Sequence, residues 1–326
     1  MADSPGLRLG FRIGTSLPST PISIKVTTPE VKAGALTWRN LEIATRALRR
    51  DGLVVLEDVI PEAALDRLNE KMVEDAYRLQ RRGDDAPFNY NKGNIQQDPP
   101  LLRKWWEPQI FINPIVTQVT STTLGRNPRL SFISGNTALP PTPSSPPSAQ
   151  PTHTDADFDH PNIPFALVAN IPLVTMTPEN GSTEVWLGTQ DFAGLNAQEG
   201  RHGERASGRI KGYLKERRLE ERPPVQPVVG KGAVVLRDLR LWQGGMTNLT
   251  GDPRVMLAMI HFAPWYRNRM AVEFSKELEP ELSVEKTGLQ VQGVFLGEDE
   301  VEERYLNRPF GNAYDFSQQE PIEGLF

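Results

Sequence analysis

Five short, mostly apolar runs, at 130–139, 165–174, 183–187, 233–237 and 255–262, occupy the middle of the chain, with Gly-, Pro- and Asn-bearing turns in the gaps between them. Runs of this length and composition read as strands. What precedes them is helical. From Trp38 a helix is expected with Leu41, Ala44 and Leu48 on one stripe, stopped by Asp51-Gly52, and 53–56 reads as a buried strand. Pro61 suits the first position of a second helix, along which Leu65, Leu68, Met72, Ala76 and Leu79 follow at helical spacing as core. A third helix is expected from Pro114 to about Thr123. Helices first, then many short strands with turns between them, predict an α+β domain built on an antiparallel double sheet or jelly roll.

The remainder is placed around that frame. Residues 1–36, rich in Pro, Ser and Thr, read as an N-terminal arm with an edge strand at 22–26, and 37–326 as one domain. Residues 83–100 read as a polar loop, and the Pro/Ser tract 139–149 as a loop that rims whatever site His153 belongs to. Residues 190–225 interrupt the strand pattern as an insert. Its stretch 201–222 holds eight Lys/Arg against four Asp/Glu, and a helix over about 207–219 fits it. That helix is a solvated surface element, a mobile lid or a partner surface. The extension 266–326 is mixed, with acidic helical patches near 277–286 and 297–305.

Composition removes several chemistries. No cysteine is present, which excludes disulfides, thiolate nucleophiles and zinc–thiolate sites. A net charge of -5 gives no reason to expect nucleic acid. No run of about eighteen apolar residues suggests a membrane span. The expectation is a cytoplasmic protein without nucleic-acid or membrane partners. Only four histidines, at 153, 160, 202 and 261, are available for imidazole chemistry.

One of them stands in His153-Thr154-Asp155. Side chains two apart on an extended segment point the same way. An imidazole and a carboxylate on one face form two thirds of the two-histidine, one-carboxylate set that holds non-haem Fe(II). Read without a metal, the same pair is a structural hydrogen bond or an acid/base pair.

The set His153-x-Asp155, Asn180-Gly181-Ser182 with Leu187-Gly188-Thr189, Trp242-x-Gly244-Gly245 and Arg254 resembles the phytanoyl-CoA dioxygenase-like branch of the Fe(II)/2-oxoglutarate oxygenases, over roughly residues 40–265. The block 153–161 is similar to members found in fungal secondary metabolism. The resemblance implies a double-stranded β-helix (jelly-roll, cupin-like) core with supporting N-terminal helices. It implies Fe(II) on His153, Asp155 and a distal residue, and 2-oxoglutarate held by an arginine about ten residues after that residue. Arg254 lies eleven residues after position 243, which holds Gln243 where the family places histidine. A planar guanidinium grips a carboxylate with two charge-assisted hydrogen bonds, which suits that role; Arg254 in a structural ion pair is the other reading. Asn136 and Thr189 are expected near the cofactor. His160 is the better substitute ligand, since His261 sits at odd spacing from Arg254 on one strand and His202 lies in the basic insert. Asp157 and Asp159 read as loop-capping residues, Trp242 as core or pocket wall, and Trp105-Trp106 and Trp265-Tyr266 as helix and strand packing or as lining of an apolar substrate pocket.

Three functions stay open on these residues. The first is an oxygenase acting on an apolar, natural-product-like small molecule, with Gln243 as a weak third ligand. The second is a metal-independent isomerase or cyclase on the same scaffold. The third is a non-catalytic pseudo-oxygenase partnering an active homologue. A homodimer, or a heterodimer with that homologue, is the expected assembly.

Overall fold

The computed structural model describes residues 19–143, 146, 148–204, 207–308 and 314–318. The first half of the predicted arm, part of the Pro/Ser tract and the last eight residues of the predicted extension lie outside them.

The strands are β1 Ser23–Lys25, β2 Leu53–Glu57, β3 Phe88–Asn89, β4 Asn91–Gln97, β5 Arg129–Ala138, β6 Ala166–Pro172, β7 Thr183–Val185, β8 Gln198–Glu199, β9 Arg209–Ile210, β10 Val234–Asp238, β11 Gln243–Gly245, β12 Arg254–Phe262, β13 Val272–Ser275, β14 Gln290–Val291 and β15 Gly293–Leu296. The helices are α1 Thr28–Ala33, α2 Trp38–Asp51, α3 Glu62–Gln80, α4 Pro108–Phe111, α5 Pro114–Leu124, α6 Gly212–Glu221, α7 Val284–Thr287 and α8 Glu298–Arg304.

A large sheet runs in the order β1-β2-β10-β6-β12-β5-β4-β3, with β14 added beside β5. It is antiparallel except where β1 and β14 pair in parallel. Alternation along its central strands sorts residues to two faces. Leu167, Ala169 and Ile171 of β6 and Leu257 and Met259 of β12 belong to the main core, together with Leu41, Ala44 and Leu48 of α2 and Leu65, Leu68 and Met72 of α3. The residues between them, Val168 and Asn170 on β6 and Met256, Ala258 and Ile260 on β12, line a cavity on the opposite face.

That cavity is roofed by a smaller layer. β11 pairs with β7, and β8 with β9. The backbone of His153 bridges the two pairs, opposite Gln243 of β11 on one side and Arg209 of β9 on the other. Two antiparallel layers closed around a cavity, with helices on the outer face of the larger one, are the expected jelly roll.

The stop after α2 is local chemistry. Gly52 adopts φ 71, and a Cβ there would meet the Gln190 and Leu241 side chains inside contact distance. The buried Asp51 carboxylate is held by Arg50 and by Arg222 at 2.9 Å.

Three expectations change. The polar stretch 83–100 holds β3 and β4 rather than a loop only: Asn91–Gln97 is polar because β4 pairs beside β5 at the cavity rim, and Gln96 faces that cavity. The insert helix runs from Gly212 to Glu221, later than expected, because residues 198–199 and 209–210 first form a short hairpin. The extension carries β13 and β15, a parallel pair that composition did not signal. Among the described residues no helix is long and apolar enough to cross a membrane.

Candidate active site in the jelly-roll cavity

The cavity measures about 190 Å³. Its chemistry begins with a backbone pairing. His153 N–H donates to Gln243 O, and Gln243 N–H to His153 O, each at 2.8 Å. Residues exchanging both bonds across an antiparallel pair stand directly opposite, and their side chains share a face. This is why position 243 meets His153 across ninety residues of chain, and why Asp155, two residues on, joins them.

The side chains then settle their own protons. His153 Nδ1 is 2.8 Å from Pro151 O. A carbonyl only accepts, so Nδ1 carries the hydrogen and Nε2 presents a lone pair to the cavity. The Gln243 amide nitrogen lies 2.8 Å from that Nε2 and 3.2 Å from Asp155 Oδ1. Both are acceptors, so the amide presents its NH2 and each hydrogen has a partner. Turned the other way, the amide oxygen would face two lone-pair atoms.

Asp155 is held from its other oxygen by Arg237, whose Nη2 donates to Oδ2 at 2.5 Å. Arg237 Nε donates to Asn170 Oδ1 at 3.0 Å, which fixes the guanidinium against the sheet. Burial alone raises the Asp155 carboxyl. The Arg237 charge more than reverses this and holds the group well below the usual carboxylate range.

Tyr90 completes this end. Its ring centroid is 4.6 Å from that of His153, and its hydroxyl donates to Ser207 O at 3.1 Å. Tyr90 sits at φ 68 in the tight β3–β4 turn, a conformation that a bulky residue adopts only where the surroundings impose it. Burial pushes its phenol up, with Asp155 and Asp157 adding to the shift. Neither Tyr90, within the polar stretch 83–100, nor Arg237, at the end of the apolar run 233–237, carries a sequence signal for this place.

Arg254 lies elsewhere in the same cavity wall. It is 1% exposed. Its Nη2 donates to Gly181 O at 2.7 Å, in the Asn180-Gly181-Ser182 turn where Gly181 has φ 79, and its Nη1 to Asn136 O at 3.5 Å. Among the described residues its Nε has no partner, and neither does the Asn136 amide nitrogen. Among the described residues no carboxylate pairs with Arg254. Burial lowers its pKa to about 10. An unneutralised buried guanidinium next to an unpartnered amide donor has the charge and the free donors that an anion would satisfy.

Of the other expected residues, Asp157 lines the cavity, and Thr189, Trp242, His261, His160 and His202 are not among its lining. The Thr189 hydroxyl donates to Trp186 O at 2.7 Å and accepts from Trp242 N at 3.0 Å, tying two strands of the roof together. Trp242 packs beside Trp186 in a small separate cluster. His261 is buried behind a bulge at Ile260/His261, 2.9 Å from Thr120 Oγ1, and burial lowers its pKa to about 4. His160 is engaged with the carbonyls of Pro161 and Ala193. His202 lies between Asp157 and Asp315, at 3.0 and 3.2 Å. Asp157 also takes the Gly203 N–H and the Ser207 hydroxyl, a capping role.

A ferrous facial triad needs two imidazoles, one carboxylate and open positions. The residues here do not fit it. There is one imidazole, a carboxylate already neutralised by a guanidinium, and a neutral amide whose hydrogens fill the space between them. Among the described residues no group of three His, Cys, Asp or Glu side chains is placed to hold a metal.

Solved structures place the fold. The chain is similar to the epimerase SnoN in complex with Fe3+, alpha-ketoglutarate and nogalamycin RO, at 16% identity and a TM-score of 0.52, over 70% of this chain and 85% of that one. It is also similar to AviO1 from Streptomyces viridochromogenes Tue57, at 16% identity and a TM-score of 0.48, over 70% and 96%. The carbocyclase SnoK from nogalamycin biosynthesis matches at 16% and 0.49, over 70% and 84%. The family model for phytanoyl-CoA dioxygenase (PhyH) matches residues 48–256, which take in both layers of the jelly roll, His153, Asp155, Gln243 and Arg254. The chain therefore belongs to the phytanoyl-CoA dioxygenase family.

Proposed function

We propose that this chain is a redox-neutral, metal-independent enzyme on the oxygenase scaffold, an isomerase-type catalyst for a small, largely apolar molecule bearing a carboxylate. The observation that carries the reading is the Gln243 amide, which satisfies His153 Nε2 and Asp155 Oδ1 together. With Arg237 on Asp155 Oδ2, the charges of this end balance without a cation, while Arg237 Nη1 has no partner among the described residues.

The chain's own groups suggest the steps. Arg254 and the Asn136 amide bind the substrate carboxylate, and the apolar sheet residues Val168, Met256 and Ile260 take its body. His153 Nε2 is the base, because Pro151 O holds the hydrogen on Nδ1. Once the Gln243 amide has swung off its one lone pair, Nε2 takes a proton from the substrate atom it faces and returns it to another atom or face. Atoms and electrons balance with no oxidant. The imidazolium so formed lies 3.4 Å from Asp155 Oδ1, whose negative charge stabilises it. Gln243 serves both states: its NH2 donates to neutral Nε2, and after a turn of the terminal torsion its oxygen accepts from protonated Nε2. That SnoN, similar in fold, is an epimerase supports a change of configuration as an outcome for this scaffold, though SnoN was crystallised with Fe3+ and alpha-ketoglutarate.

A second reading has one observation in its favour. His153 Nε2, Asp155 Oδ1 and the Gln243 amide converge within 3.4 Å, and a strongly bound cation would turn the amide oxygen inward. The chain would then be a weak-iron oxygenase using 2-oxoglutarate on Arg254. Calorimetry with 2-oxoglutarate as the probe separates the two. Metal-stripped protein should bind it with the same affinity with and without Fe(II), and Arg254→Met should remove the binding. Tightening of tenfold or more by Fe(II), with a visible charge-transfer band, contradicts the proposal and supports the oxygenase.

A further inference from the structure

The segment matched by the family ends at 256, yet the cavity wall does not. Tyr314 and Phe316, from a strap of described residues 314–318, line the same cavity as His153 and Arg254. The strap is anchored on three sides. The Tyr266 hydroxyl donates to Phe316 O at 3.0 Å, and Arg267 N–H to Gln318 Oε1 at 3.4 Å. The Tyr314 hydroxyl donates to the buried Asp98 carboxylate at 3.2 Å, which Arg308 also holds at 2.9 Å. Asp315 faces His202 of the insert at 3.2 Å, and the other nitrogen of His202 meets Asp157 at 3.0 Å, two residues past Asp155. Insert and strap are thus clasped through one imidazole, and Gly203 and Ser207 of the insert also line the cavity.

The rings of the strap form an ordered wall. Tyr314 and Phe316 are parallel, with an interplanar angle of 1° and centroids 6.4 Å apart. Phe132 of the sheet stands perpendicular to both, at 90° and 89°, with centroids 4.8 and 5.0 Å away. Aromatic rings attract one another edge-to-face or offset-parallel because the ring face is negative and its edge positive. A flat ring entering a space bounded by perpendicular ring planes finds one of these geometries against each wall. A flexible aliphatic chain gains only its area.

We infer that Tyr314 and Phe316 are specificity-determining residues of this cavity. They select a carboxylic acid with a planar aromatic or conjugated body, its acid group on Arg254 and its rings against the strap. The inference rests on the proposal that Arg254 receives an acid, and goes beyond it in naming the body of the ligand.

The test uses two probe acids, 2-naphthoate and decanoate, titrated calorimetrically into the full chain. Wild type should prefer 2-naphthoate by about tenfold. Phe316→Ala should bring that ratio close to one while decanoate affinity changes less than twofold. Phe316→Leu, which nearly keeps the volume and removes the ring, should do the same and serves where the alanine variant does not fold. A wild type without preference, or a preference that survives both variants, overturns the inference and leaves the acid site standing. If neither acid binds to wild type, or binding is indifferent to Arg254→Met, the acid site itself fails and the inference with it.

Discussion

The two polar clusters of the cavity wall solve the same electrostatic problem in opposite ways. Around His153 the charges are paired internally: Asp155 has Arg237 and the Gln243 amide, and His153 has Pro151 O and the same amide, with Arg237 Nη1 left without a partner among the described residues. Around Arg254, a buried cation has, among the described residues, only carbonyl partners and an idle Nε. A closed cluster is a stability element that has to open before it reacts. An unneutralised one costs stability until a ligand arrives, and so reads as the binding end. In the family pattern the metal would stand at the first and an acid at the second. Here the first is closed by side chains and the second remains open.

Substitutions should break that contrast in a set order. The largest effect is expected from Asp155→Ala. It leaves Arg237 buried and unpaired, and should destabilise the fold by about 3 kcal/mol or more in chemical denaturation. Loss of under 1 kcal/mol would mean that the cluster is not closed by this pair.

Next comes a pH effect away from both clusters. His261 is neutral in the fold with a pKa of about 4, against about 6.5 unfolded. The unfolded chain binds the extra proton, so this group's contribution is full above pH 6.5 and falls as pH drops toward 4, by about 3 kcal/mol. His261→Gln should flatten that part of the stability–pH curve. Asp155 acts lower: its depressed folded pKa gives stability that is present above about pH 4 and lost on further acidification.

Arg254→Met should lower the affinity for carboxylate probes by about 100-fold. In contrast to Asp155→Ala, it should leave the melting temperature within about 2 °C or raise it, because a buried charge without a counter-ion disappears. A large drop in melting temperature would show that Arg254 is structural. The smallest effect belongs to Thr189→Val, which should cost about 1–2 kcal/mol through its lost roof hydrogen bonds and leave acid binding unchanged.

How much of this was legible in the chain varies with the range of the interaction. α2, Asp51-Gly52 and the strands β5, β6, β10 and β12 announce themselves through local periodicity and turn chemistry. His153 and Asp155 are legible because a two-residue spacing on an extended segment defines a shared face, and position 243 and Arg254 because the family's spacing between them is kept. Arg237 was missed. It ends an apolar run, where a charged residue ordinarily turns to solvent, and only the pairing of β10 with β6 brings it to Asn170 and Asp155. Tyr90 was missed because its role comes from a turn conformation that its type disfavours. β4 was misread as loop because polar residues facing a cavity look like polar residues facing water. Tyr314 and Phe316 lie beyond the jelly roll, and only tertiary packing returns them to it.

The central claim is that the His153 cluster is complete without a cation. Anaerobic titration of Fe(II) into metal-stripped wild type and Gln243→His, in the presence of 2-oxoglutarate, tests it most directly. The account predicts no charge-transfer band and no retained iron for wild type at millimolar additions, with measurable iron binding gained on Gln243→His. Stoichiometric iron with a charge-transfer band in wild type would contradict it.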